Sequence, residues 1–167
     1  MAEQAAGVVE RPMGRTGLPL VVFVLDGQGY ALRLSGVERV LPMVAVSPLP
    51  RAPAVALGVI NFHGQVVPVL DIRRRFGLSS RDYGLAAHLL VARSARRTLV
   101  LPVDEVLGVR EVPVKGVTSA DAVLPGIGHV AGIVALEDGL LFIHDLDTFL
   151  SLDEEGQLTE ALEEMEG

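Results

Sequence analysis

The side chains able to do chemistry in this chain are few and scattered. Its four histidines, His63, His88, His129 and His144, share no common spacing, whereas a metal site needs ligands at short, fixed intervals. His144-Asp145-Leu146-Asp147 sets a histidine beside two carboxylates, but a matching segment, Leu70-Asp71-Ile72-Arg73, lacks the histidine and the second aspartate. The shared feature is an aspartate ahead of a short helix, where it caps the free N–H groups of the first turn. No cysteine is present, which removes disulfides, thiolate-bound metals and thiol nucleophiles together. Gly-x-Ser-x-Gly, a Walker lysine and His-Glu-x-x-His are all absent; the nearest glycine motif, Gly126-Ile127-Gly128, precedes a strand and reads as a loop. No enzyme activity, metal or cofactor is expected, and binding is the better reading.

Binding has a candidate in the hairpin that Gly58 and Gly64 flank. A glycine inside a strand marks a bulge or a close approach by another backbone. Asn61 and His63, held between those glycines beside a groove, suit recognition of a peptide or helix. The arginine groups Arg73-Arg74-Arg75 and Arg93, Arg96, Arg97 are not interleaved with aromatics, of which the chain has only seven. They read as solvated faces of a helix and a turn, and nucleic acid is not expected.

The elements that must position these residues are short strands. At 167 residues, half of them hydrophobic, the chain can bury roughly 70% of its unfolded surface. Apolar, β-branched bursts fall at 20–25, 30–34, 37–41, 55–61, 66–70, 88–93, 99–103, 109–112, 130–136 and 140–143, separated by Gly, Pro, Asp or Asn. That is the pattern of an all-β sandwich or pair of small barrels. Gln28-Gly29, His63-Gly64 and Asp138-Gly139 sit where hairpins need positive φ. Residues 1–17 read as a mobile arm, 18–152 as the β-domain and 153–167 as an acidic helix docked by Leu158, Leu162 and Met165.

An internal repeat joins the pieces. Gly58 to Ile72 lies over Gly132 to Leu146 at a constant offset of 74, with the glycine, the apolar alternation and the capping aspartate recurring. A weaker echo pairs Val37-Glu38-Arg39-Val40 with Val103-Asp104-Glu105-Val106. Two marginal units of this size should pack on each other with a groove between them.

Charge is sorted along the chain. All 14 basic residues precede position 116, whereas 12 of the 21 carboxylates follow position 115, within a net charge of −7. Such segregation suggests electrostatically oriented association with partners. The apolar run 18–25 is far shorter than the ~20 residues of a membrane helix, so a cytoplasmic location without membrane insertion is expected.

Taken in order, several motifs resemble those of the CheW-type adaptors of bacterial chemotaxis. They are Val21-Val22-Phe23-Val24-Leu25, Tyr30-Ala31-Leu32, Val37-Glu38-Arg39-Val40-Leu41-Pro42, Pro48-Leu49-Pro50 and Gly58-Val59-Ile60-Asn61. Gly64-Gln65-Val66-Val67-Pro68-Val69-Leu70-Asp71-Ile72, Leu101-Pro102-Val103-Asp104-Glu105-Val106-Leu107-Gly108-Val109, Gly132-Ile133 and Ile143-His144-Asp145 complete the set. The resemblance spans about 20–152. It implies two intertwined five-stranded SH3-like barrels and a scaffold coupling chemoreceptors to a CheA-type histidine kinase. It implies a face for the cytoplasmic tip of methyl-accepting chemoreceptors at Val37, Arg39, Gly58, Asn61, His63, Gly64 and Val109, and a kinase face at His88 and Leu89.

Two positions depart from the family pattern. Arg39 stands where an acidic residue is usual, and His63 where arginine is usual. The receptor contact is thereby retuned, or the chain is a divergent module that binds the kinase or another signalling partner without that contact. A domain detached from a signalling enzyme and a metabolite-binding barrel fit less well, for want of a phosphate-binding loop or a buried polar cluster.

Overall fold

The computed structural model describes residues 17–78, 83–84, 86–119, 129–137 and 139–166. The N-terminal arm up to residue 16, the loop Gly126-Ile127-Gly128 and Asp138 of the expected turn lie outside the described residues. All ten expected bursts are strands: β1 (Gly17–Leu25), β2 (Gln28–Arg33), β3 (Val37–Pro42), β4 (Ala56–Phe62), β5 (Gln65–Leu70), β6 (His88–Arg93), β7 (Thr98–Val103), β8 (Glu105–Pro113), β10 (Val130–Leu136) and β11 (Gly139–His144). The addition is β9 (Val117–Ser119), whose three residues are too few to show alternation. Among the described residues there are two α-helices, α1 (Ile72–Arg75) and α2 (Leu152–Glu166).

The strands form two sheets, ordered β8-β1-β2-β11-β10-β9 and β3-β6-β7-β5-β4. The second uses only the middle of the chain, whereas the first draws on both ends, and this is how the barrels intertwine. Pairing registers show that they are copies. Both β4-β5 and β10-β11 carry an extra residue just before Gly58 and Gly132. In the same way Glu38 of β3 and Leu107 of β8 bulge out of their pairings with β6 and β1. β4-β5 thus matches β10-β11 at offset 74, while β3 matches β8, and β1-β2 match β6-β7, at offset 69. The weaker echo is corrected by three residues: Val37-Glu38-Arg39-Val40 lies over Val106-Leu107-Gly108-Val109.

The interiors obey the same arithmetic. Ile60, Val67, Val69, Leu89, Val91 and Val100 fill the middle barrel. Their counterparts Val134, Leu141, Ile143, Leu20, Val22 and Ala31, joined by Val112, fill the flanking one. Alternation does the rest, because side chains of opposite parity point to the other face of each sheet. Phe23, Leu25, Tyr30 and Leu32 from one sheet meet Leu70, Leu90, Leu99 and Leu101 from the other in a third core, the seam between the barrels.

Closure of the middle barrel depends on one glycine. Past β3 the chain crosses to β4, where Ser47 and Val59 exchange two backbone hydrogen bonds of 2.9 and 2.8 Å. At Gly58, φ is +154°, and a Cβ there would stand 2.1 Å from the Ser47 carbonyl oxygen and 2.8 Å from Val46 Cγ1. The capping aspartates act as expected: Asp71 accepts the Arg73 N–H at 2.9 Å, and Asp145 accepts that of Asp147 at 3.0 Å. In α2, Leu158 and Ala161 are buried in the seam core, Leu162 packs against it, and Glu155 is buried too. Met165, expected on the docking stripe, is instead 42% exposed, because the stripe turns with Ala161 rather than running on to the helix end.

Candidate functional site

The expected receptor-face residues fall into four groups. Val37 and Val109 lie on β3 and β8, the two equivalent edge strands, and both are half-buried against the seam core. Arg39 follows the Glu38 bulge, opposite Val91, exposed and with no acceptor among the described residues. Asn61, His63 and Gly64 form the exposed tip of the β4-β5 hairpin, where His63 and Gly64 take φ of 52° and 82°. That is the two-residue turn that suits the twist of a hairpin. Asn61 Oδ1 accepts the Gly64 N–H at 2.9 Å, and the His63 ring sits edge-on to Phe62 with centroids 4.3 Å apart. Gly58 is buried beneath Ser47 and closes the barrel; its Cα faces backbone rather than solvent.

The expected kinase pair is split by the strand. Leu89 is 0% exposed inside the middle barrel, so it offers no side-chain surface to a partner. His88, one residue earlier, points to the opposite side, half-buried, with Nδ1 reaching no hydrogen-bond partner.

Sequence reasoning missed two polar clusters at the junctions of the barrels. The arginine run is not a solvated face: Arg73 is 0% exposed, pairs with Asp104 and, at 3.2 Å, with Asp26, and holds its guanidinium 4.7 Å from the centre of the Tyr83 ring. Tyr83 in turn donates to Asp71 at 3.0 Å; burial and that carboxylate push its hydroxyl well above the usual tyrosine range. Arg75 pairs with Glu154 at 2.6 Å and Arg97 with Glu155 at 2.8 Å, and even Arg74, the most exposed of the run, donates to the Ala54 carbonyl at 2.6 Å. One signal was legible: Arg73 and Asp147 hold the same place in the repeat with opposite charge.

At the other junction, His144 is buried among the rings of Phe23, Tyr30, Phe76 and Phe149. Neither ring nitrogen meets a well-placed partner, and burial lowers its pKa to about 4, with the His129 backbone opposing only in part. The imidazole is therefore neutral at physiological pH. Beside it opens a cavity of about 370 Å³ whose charged lining is Arg33, Arg93, Asp145 and Asp147; Asn61 and His63, expected beside such a groove, do not line it. Among the described residues no three His, Asp or Glu side chains converge as a metal-binding set. The arrangement offers surfaces and a seam between two barrels, which is the equipment of a binding module.

Comparison with known proteins agrees with this architecture. A family model described as the CheW-like domain matches residues 19–154. The chain is 25% identical over 140 residues to the chemotaxis protein CheW of Rhizobium meliloti, covering 83% of this chain and 90% of that protein. It is 33% identical over 104 residues to protein FrzA of Myxococcus xanthus, covering 59% and 62%. The crystal structure of the scaffolding protein TtCheW from Thermoanaerobacter tengcongensis superposes with a TM-score of 0.74 at 24% identity, over 83% of this chain and 95% of that one. With the paired barrels, the repeat and the matched span in agreement, the chain belongs to the CheW-like domain family of chemotaxis scaffolds and adaptors.

Proposed function

We propose that this chain is a non-enzymatic cytoplasmic adaptor that holds a CheA-type histidine kinase against the helical tip of chemoreceptors. The observation that carries the reading is the paired edge. Val37 and Val109 present half-exposed apolar surface from equivalent edge strands of the two barrels, each packed against the seam core. Arg39 and the Asn61-His63-Gly64 tip add exposed polar contacts on the middle barrel. Micromolar contacts, each worth about −8 kcal/mol, suffice when several act together in an assembly. His88 remains the candidate on the kinase side, without Leu89.

Arg39 and His63 are both exposed, so a partner meets their side chains directly and exchanging them spares the core. The test is co-sedimentation with receptor-bearing membranes and pull-down with the kinase, for the wild type and for Arg39→Glu with His63→Arg. Binding of both partners by the wild type makes it a coupling adaptor whose receptor matches its altered charges. Kinase binding alone, with receptor binding gained by the double change, makes it a module whose receptor face serves another partner. Failure of the wild type to bind either partner overturns the proposal.

A further inference from the structure

Charge in this molecule is sorted by barrel rather than by chain half. Residues 37–103, which build the middle barrel, hold 9 basic and 3 acidic residues; the rest of the chain holds 5 basic and 18 acidic. Every ion pair between the two parts among the described residues has the same polarity. Arg51, Arg73, Arg75 and Arg97 of the middle barrel supply the cations, and Glu164, Asp26, Asp104, Glu154 and Glu155 supply the anions. Three of those anions lie on α2, which leaves the flanking barrel after β11 and lies across the middle one.

We propose that α2 is an electrostatic strap that fixes the angle between the barrels, with Arg75 and Arg97 as its positioning residues. Its apolar stripe, Leu158 and Ala161 with Leu162 beside them, is narrow, and a narrow stripe leaves a helix free to roll or slide. The polar contacts remove that freedom. Arg75 grips Glu154, and Arg97 reaches Glu155 through Nε at 2.8 Å and the Thr159 hydroxyl through Nη2 at 2.7 Å, one turn further on. Side-chain exposure is 15% at Arg97 and 10% at Glu155, against 78% and 58% for Arg51 and Glu164. The inner pairs therefore work where water screens them least, whereas the outer one adds little. The cations come from separate places on the middle barrel, α1 and the β6-β7 turn, so together they hold the helix at two points.

The chain has no cysteine, so Val44→Cys on the middle barrel and Leu140→Cys on the flanking one, 46% and 48% exposed, give two clean spin-label sites. In this labelled background the distance distribution should be narrow. It should broaden at least two-fold with Arg75→Glu and Arg97→Glu, and narrow again when Glu154→Arg and Glu155→Arg are added. Arg51→Glu should leave it unchanged. An unaltered distribution in the Arg75→Glu, Arg97→Glu protein, or broadening that the charge swap does not relieve, overturns the strap. If that protein loses its strand signal by circular dichroism, Arg97→Gln with and without Glu155→Gln decides by the same two outcomes. The readout uses no kinase or receptor, so its failure is distinct from failure of the adaptor reading.

Discussion

The two junctions between the barrels are the same place built twice, and they have been put to opposite uses. At one, the second position after the capping aspartate is Arg73, sunk completely and held by Asp26 and Asp104. At the other the matching residue is Asp147, exposed and accepting the Ala95 N–H at 2.7 Å, with Arg33 and Arg93 beside it and without a carboxylate partner among the described residues. The positions that match Asp26 and Asp104 are Ala95 and Ser35, so neither can anchor a cation there. One junction is therefore a buried ionic joint and the other an open, polar cavity. A duplicated fold thus gains one ionically fixed side and one side available for variation.

The sharpest way to break that contrast is to treat both seats alike. Arg73→Met should cost about 3 kcal/mol, read as a lowered urea midpoint, because it takes the fully buried cation out of its pairs with Asp26 and Asp104. Asp147→Asn should cost no more than about 1 kcal/mol, the size of a capping contact. Equal losses at the two positions would mean that the junctions are energetically the same.

The repeated glycines divide in the same direction. A Cβ at Gly58 meets the Ser47 backbone at 2.1 Å with φ at +154°, whereas one at Gly132 meets a Val117 methyl at 2.6 Å that can rotate aside. Gly58→Ala should thus cost about 3 kcal/mol or more, combining backbone strain with overpacking, and Gly132→Ala about 1–2. Thermal melts of the two variants check this directly; a milder loss at Gly58 would show that the 43–49 segment can move away.

Much of this was legible in the sequence because burial and pairing have periods. The ten strand bursts, the offset of 74, both capping aspartates and the His63-Gly64 turn follow from alternation and from residues with few backbone options. The polar interior was not legible. Arg73-Arg74-Arg75 looks like a solvated run because only the tertiary arrangement places Asp26 and Asp104, 47 residues before and 31 after, around its first member. Leu89 is a candidate through the resemblance alone, and only the register shows that it faces the inside of the middle barrel. Gly58 combined a binding reading with a closure reading, and only the crossing of Ser47 over it separates them.

His144 and Leu70 provide the smallest and most selective comparison, since they match in the repeat but only one can take a proton. The folded His144 has a pKa of about 4 against 6.5 when unfolded. As pH falls, the unfolded chain therefore binds the proton first, and the fold loses stability. The contribution is fully present above about pH 6.5, declines toward pH 4 and is then spent, a total of about 3 kcal/mol over that window. Between pH 7 and 6 the loss is only a fraction of this, so the effect under ordinary conditions is slight. His144→Leu, which copies the other barrel, should remove this part of the pH dependence while Glu154, held below the usual carboxylate range by Ser151 and Arg75 against the pull of burial, keeps its own acid-side loss. Denaturant midpoints from pH 7 to 4 separate the two. A variant whose midpoint falls as steeply as the wild type between pH 6.5 and 5 would show that His144 takes up its proton without leaving the aromatic core, through a rearrangement that brings the His129 carbonyl within reach.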